Sequence, residues 1–99
     1  MRTASKDRAR QLRAYNKRVK EWLRENRHCQ ACAAIAEYND VAIRVIRLAD
    51  QCHHVRGRNG ELLLDERHWL PVCRNCHNWI TDHGKLARQL GLSADVNYR

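Results

Sequence analysis

Ninety-nine residues fit one domain, with a core small enough that a structural metal is a common supplement. Nineteen Lys/Arg against 11 Asp/Glu give a net charge of +8, which points to a polyanionic partner, and no apolar run approaches a membrane span. An odd number of cysteines, five, and a highly charged N-terminal stretch without a signal-peptide-like apolar run argue against a secreted disulfide scaffold and for a reduced, cytoplasmic setting.

The predicted elements begin with a basic helix. Thr3 or Ser5 can cap a helix running to about Asn26, on which Leu12, Tyr15, Val19, Trp22 and Leu23 recur at helical spacing as a core-facing stripe. Residues 1–27 hold ten Lys/Arg against three Asp/Glu, so almost the whole net charge sits on this element. Arg13, Lys17 and Lys20 are its candidate phosphate contacts; the plainer reading is a solvated face. The two turns before Leu12 have no large apolar anchor and are expected to fray. Residues 1–27 are read as part of the same domain as 28–92, with 93–99 as a tail.

Cys29-Gln-Ala-Cys32 reads as a knuckle whose tight loop turns backbone N–H groups toward sulfur. A short helical turn follows over Ala33–Tyr38 and is broken at Asn39-Asp40. Val41, Ile43 and Val45 alternate as a strand would, and Ile46 and Leu48 shift the phase, as at a bulge or bend. His53-His54-Val55 falls at or near a strand end. Gly57-Arg58-Asn59-Gly60 has turn chemistry, and Asp65 can cap a turn after Leu62-Leu63-Leu64. Trp69-Leu70-Pro71-Val72 leads into a second knuckle, with Pro71 favouring an edge or terminal position. Asn75 to about Thr81 reads as helix with Trp79 and Ile80 inward; Asp82–Leu90 carries Leu86, Ala87 and Leu90 at helical spacing and is stopped by Gly91.

The two knuckles, Cys29/Cys32 and Cys73/Cys76, supply four thiolates from two chain segments, the donor set of a tetrahedral structural zinc. Two disulfides are the alternative, disfavoured by the odd cysteine Cys52, which reads as a small buried apolar residue. Six histidines stand outside that set, at 28, 53, 54, 68, 77 and 83. His77 directly follows Cys76, and His53-His54 precede a glycine turn. Histidines on a strand and a helix around a structural metal suggest a second metal site, with an open position and a free base beside it. Adjacent strand residues face opposite sides, so His53 and His54 share a cleft only where the strand ends, twists or bulges. His28 reads as a phosphate neighbour or bystander, and His83 as solvent-exposed.

Across residues 29 to about 83, the sequence Cys29-x-x-Cys32, His53-His54-Val55-Arg56-Gly57-Arg58 and Trp69-Leu70-Pro71-Val72-Cys73-Arg74-Asn75-Cys76-His77-Asn78 resembles the HNH nucleases, most of all their small phage-encoded members. The resemblance implies a small α+β fold, the zinc-stabilised ββα-metal domain, here with a basic helix in front. It implies a metal-ligand position at His53, a general base at His54 and a second ligand at His77. The catalytic divalent metal would be Mg²⁺, Mn²⁺, Ni²⁺ or Zn²⁺. The middle position departs from the family, which usually has Asn nine residues before the final His. Here it is His68, which can replace one amide hydrogen bond but not both sides of it.

Arg56, Arg58 and Arg74, close in sequence to these histidines, are candidate phosphate contacts, and nothing offers a base-reading code. The expected function is metal-dependent hydrolysis or nicking of DNA, bound through its phosphate backbone. The alternatives are a zinc-stabilised DNA-binding module without turnover, and an adaptor beside phage packaging or recombination proteins.

Overall fold

The computed structural model describes residues 2–40, 46–58 and 60–94, with side chains from residue 6 onward. The predicted alternation at Val41, Ile43 and Val45 lies outside the described residues. Among the described residues the architecture is α+β: four α-helices and a two-stranded antiparallel sheet.

Helix α1 (Arg2–Glu25) runs through a segment without Gly or Pro, rich in Ala, Arg, Lys, Leu and Glu, the residues that lose least on entering a helix. It begins earlier than the lack of an apolar anchor suggested. The Gln11 amide donates to the Gly60 carbonyl at 2.9 Å and Arg8 donates to Gln11 Oε1 at 2.9 Å, a polar tie where an apolar one is missing. Farther along, Arg18 grips Glu66 in a fork, Nε to Oε2 at 2.7 Å and Nη2 to Oε1 at 2.8 Å, and also reaches Glu25 at 2.9 Å.

Strand β1 (Gln51–His54) pairs with β2 (Trp69–Val72), aligning Gln51 with Val72, Cys52 with Pro71, His53 with Leu70 and His54 with Trp69. Pro71 stands on the outer side of β2, where its carbonyl accepts from the Gln30 N–H at 2.9 Å and no N–H is required of it. The pleat divides the residues between two cores. Cys52, His54 and Trp69 share the face turned to α1, where Tyr15, Trp22, Leu63 and Trp69 are buried together. Trp69 meets Tyr15 and Trp22 edge-on, with ring centroids 5.6 and 5.3 Å apart. His53, Leu70 and Val72 share the other face. There Cys29, Ala31, Ile35, Val72, Cys73, Cys76, Ile80, Ala87 and Leu92 form the second core.

Between the strands, Gly57 takes φ 92°, a left-handed conformation that glycine adopts without a Cβ clash. A 3-10 turn over Gly60–Leu64 then drops the fully buried Leu63 into the tryptophan cluster. Asp65 caps the next 3-10 turn, Glu66–His68, by accepting from the Arg67 N–H. Helix α2 (Cys32–Tyr38) ends at Asn39, with Asp40 left-handed at φ 55°. Helix α3 (Arg74–Asp82) starts from Cys73, and α4 (Gly84–Gln89) follows a break at His83. Gly91, at φ 77°, turns the chain so that the Leu92 and Ser93 N–H groups both reach the Ala87 carbonyl. Ser93 and Ala94 are held against the domain rather than trailing from it: the Ala94 N–H donates to the Val55 carbonyl at 2.7 Å. No helix among the described residues is long and apolar enough to cross a membrane.

Candidate metal centre and histidine cleft

The knuckle after α1 and the one that opens α3 converge. Ligand atoms of Cys29, Cys32, Cys73 and Cys76 all lie within 4.8 Å of one another, and Cys32 and Cys76 Sγ are 3.7 Å apart. Zinc–sulfur bonds of about 2.3 Å in a tetrahedron place sulfurs about 3.8 Å apart, so the spacing suits one zinc ion. All five cysteines carry free thiols. Burial raises the Cys29 thiol, but hydrogen bonds from the Cys73 and Ala31 backbone and from Cys32 and Cys76 overcome it and leave it below the usual value. Burial raises Cys76 and Cys32, and neighbouring sulfurs add to the rise at Cys76. Four thiols packed together cannot all ionise unaided; a bound cation would draw off the remaining protons. Among the described residues these cysteines are the one group of three or more metal-ligating side chains within such distances.

Beside this centre lies an open cleft of about 330 Å³, running along the unpaired edge of β1. Tyr15, Val19 and Leu23 of α1 form one wall, His77 of α3 stands on the other side, and His53, His54, Gly57 and Arg58 lie between. This resolves the difficulty of two adjacent histidines. They do face opposite sides of the sheet, and they reach one cleft because it crosses the strand's open edge.

His53 and His77 have ring centroids 5.3 Å apart. His53 Nε2 lies 2.9 Å from the Leu92 carbonyl and 3.2 Å from Ser93 Oγ. Burial lowers the His53 pKa. His54 is buried at 8 % exposure, with Tyr15 and Trp69 rings at 5.4 and 5.8 Å. Burial first, then the charge of Arg58, brings its pKa down from 6.5 to about 4, against a hydrogen bond to the Leu63 carbonyl that pulls the other way. His54 is therefore a neutral imidazole at pH 7. Its Nε2 is buried and has no hydrogen-bond partner.

The other predicted residues divide. Arg58 lines the cleft, its guanidinium carbon 5.2 Å from the Tyr15 ring centroid, a cation–π contact that holds the charge over the mouth. His68 does not line the cleft. Its Nε2 lies 3.3 Å from Arg56 Nη1 and 3.9 Å from Asp65 Oδ2, while its carbonyl accepts from the Val55 N–H at 2.9 Å. It thus holds the turn after His54. Arg74 is exposed at the first turn of α3 and lies outside the cleft lining. Arg13, Lys17 and Lys20 are exposed in one row on α1. At 100° per residue that row stands about 200° around the helix from Tyr15, Val19 and Trp22, so it faces away from the cleft. His83 is exposed and stacked on Trp79 at 4.6 Å, and His28 is exposed in a bridge to Leu48.

Sequence reasoning missed Tyr15 as a cleft wall, because its helical spacing marks it equally well as core. It also missed the return of Leu92–Ala94 to His53. Compared with known family models, curated proteins and solved structures, the chain matches none.

Proposed function

We propose that the chain is a metal-dependent DNA endonuclease or nickase of the HNH kind, with β1, β2 and α3 as its ββα-metal unit. One observation carries this reading: His53 on a strand and His77 on the helix opened by a cysteine knuckle stand 5.3 Å apart, with neutral His54 in the same cleft. In this reading Cys29, Cys32, Cys73 and Cys76 hold a structural zinc that cross-links two distant segments. His53 and His77 would hold the catalytic cation. Two imidazoles suit Ni²⁺ or Zn²⁺ better than Mg²⁺. When bound, a divalent cation neutralises charge on the phosphate.

The chain's own residues supply the rest. Arg58 at the mouth attracts a phosphodiester, and Arg56 and Arg74 add positive charge around it. His54, neutral at working pH, accepts a proton from the water that attacks phosphorus in line. His68 steadies the turn that follows His54 through Arg56, in place of the family's amide. The row of Arg13, Lys17 and Lys20 offers a separate phosphate-binding face. Contacts to the backbone carry no sequence code, so binding depends on salt more than on sequence.

Nicking of supercoiled plasmid with Mg²⁺, Mn²⁺ or Ni²⁺, against EDTA, tests the reading. His54→Ala should cost about 10²- to 10⁴-fold in rate with zinc content and DNA affinity retained. His77→Ala should recover part of its activity at high metal concentration. A second reading, a DNA-binding module without turnover, is favoured by the burial of His54 Nε2. It stands if wild type cuts no supercoiled, linear or branched DNA with any of these metals and His68→Asn creates no cutting.

A further inference from the structure

The described C-terminal segment, Leu92–Ala94, has no part in the reaction outlined above, yet it makes three hydrogen bonds to β1 and the turn beyond it. His53 Nε2 meets the Leu92 carbonyl at 2.9 Å and Ser93 Oγ at 3.2 Å, and the Ala94 N–H meets the Val55 carbonyl at 2.7 Å. The segment is itself anchored. Leu92 is 6 % exposed in the core around the cysteines, and the Leu92 and Ser93 N–H groups bond the Ala87 carbonyl at 2.8 and 3.3 Å.

A carbonyl oxygen can only accept, so the hydrogen in the Leu92 contact belongs to Nε2. In a neutral imidazole the lone pair then lies on Nδ1. A cation can bind only the nitrogen that carries a lone pair, and a ring held by its other N–H turns less and gives a stronger donor. We infer that Leu92–Ala94 is a positioning strap: the Leu92 carbonyl fixes His53 as the Nε2–H tautomer, Ser93 Oγ supports it, and the Ala94–Val55 bond holds the strap in place. Nδ1 is thereby assigned as the nitrogen that meets the cation. This rests on the proposed role of His53 as a ligand, but the tautomer itself does not.

Two measurements on the zinc-loaded full chain separate the strap from the ligand role. The first is ¹⁵N NMR of the His53 ring at pH 7.5 without added catalytic metal, in wild type, Ser93→Ala and Ala94→Pro. Ala94→Pro deletes the N–H donor, and Ser93→Ala deletes only the supporting hydroxyl. Wild type should show a protonated Nε2 and a bare Nδ1. Ala94→Pro should show a mixture of tautomers, and Ser93→Ala should stay close to wild type. The second is titration of the same proteins with Ni²⁺ and Mn²⁺, followed at His53 and His77. Ala94→Pro should bind about tenfold more weakly, within the range seen when a ligand's supporting hydrogen bond is lost.

A wild-type His53 that is protonated on Nδ1, or is an even mixture, overturns the strap. So does an Ala94→Pro protein whose tautomer shifts while its metal affinity stays the same. A wild type with Nε2–H on His53 and no response of His53 or His77 to either metal overturns the ligand reading and, with it, the strap's role toward a cation. Should Ala94→Pro fail to fold, a chain ending at Ser93 removes the same N–H, with the same outcomes expected.

Discussion

At the residue scale, His54 makes the strongest demand on solution conditions. Its pKa is held at about 4 in the folded protein against 6.5 for the free side chain. Above pH 6.5 it is neutral in both states, and its contribution to stability is fully present. As the pH falls from 6.5 toward 4, the unfolded chain takes up a proton that the folded one refuses, and stability is lost. By pH 5.5 the loss relative to pH 7 should be about 1 kcal/mol. His54→Phe keeps a ring between Tyr15 and Trp69 and removes the proton, so urea unfolding of this variant should fall less between those two pH values. An equal fall would remove His54 as the cause. Leu63 sets a plainer expectation. It is fully buried beneath the tryptophans, and Leu63→Ala should cost about 2–5 kcal/mol in the same experiment. Much at this scale could be read in the sequence: the four cysteines, the histidine pair and the helical stripe each follow from spacing. The partner of each side chain could not. Arg18 with Glu66, Arg58 on Tyr15 and His68 with Arg56 join residues 12 to 48 positions apart, and no local pattern records such meetings.

At the element scale, α1 has two different faces. Tyr15, Val19, Trp22 and Leu23 pack on the sheet, while Arg13, Lys17 and Lys20 stand outward. Removing residues 1–10 takes away basic side chains from turns whose described side chains, residues 6–10, add nothing to either buried core, and it leaves the bond from Gln11 to Gly60. Such a chain should unfold at nearly the same denaturant concentration as the full one. If the proposed substrate is right, it should bind DNA more weakly, with a shallower dependence of affinity on salt because fewer counterions are released. An unchanged salt slope would show that these turns do not touch the phosphates. The limits of α1 and α2 followed from composition and pattern to within a few residues, while the strands were marked only by His53-His54-Val55 near a strand end and by Trp69-Leu70-Pro71-Val72. The division between α3 and α4 at His83 falls within two residues of the one read between Thr81 and Asp82. The contacts of Ser93 and Ala94 with His53 and Val55 were not legible, because hydrogen bonds from backbone and a single serine leave no hydrophobic signature.

At the scale of the whole molecule, two cores share one thin sheet. The core on the α3 side is built around the cysteines, and the other around Trp22, Leu63 and Trp69. Purified protein should carry about one zinc per chain, and Cys73→Ser should lose it and misfold the α3 side, as released zinc and circular dichroism would show. A full-length protein without zinc that keeps its native spectrum would leave the cysteines as core residues only.

The pleat of β1 gives this division a consequence. Two neighbouring positions in the chain, His53 and His54, answer to different masters: one leans on the cysteine side, the other on the tryptophan side. The cleft then works as a conjunction, complete only while both halves are in place at once. Scarcity of zinc would dissolve one term and spare the other. If the proposed function is right, a starved chain would still carry its charged helix to DNA but would have no composed site to act there, so grip should outlast cutting.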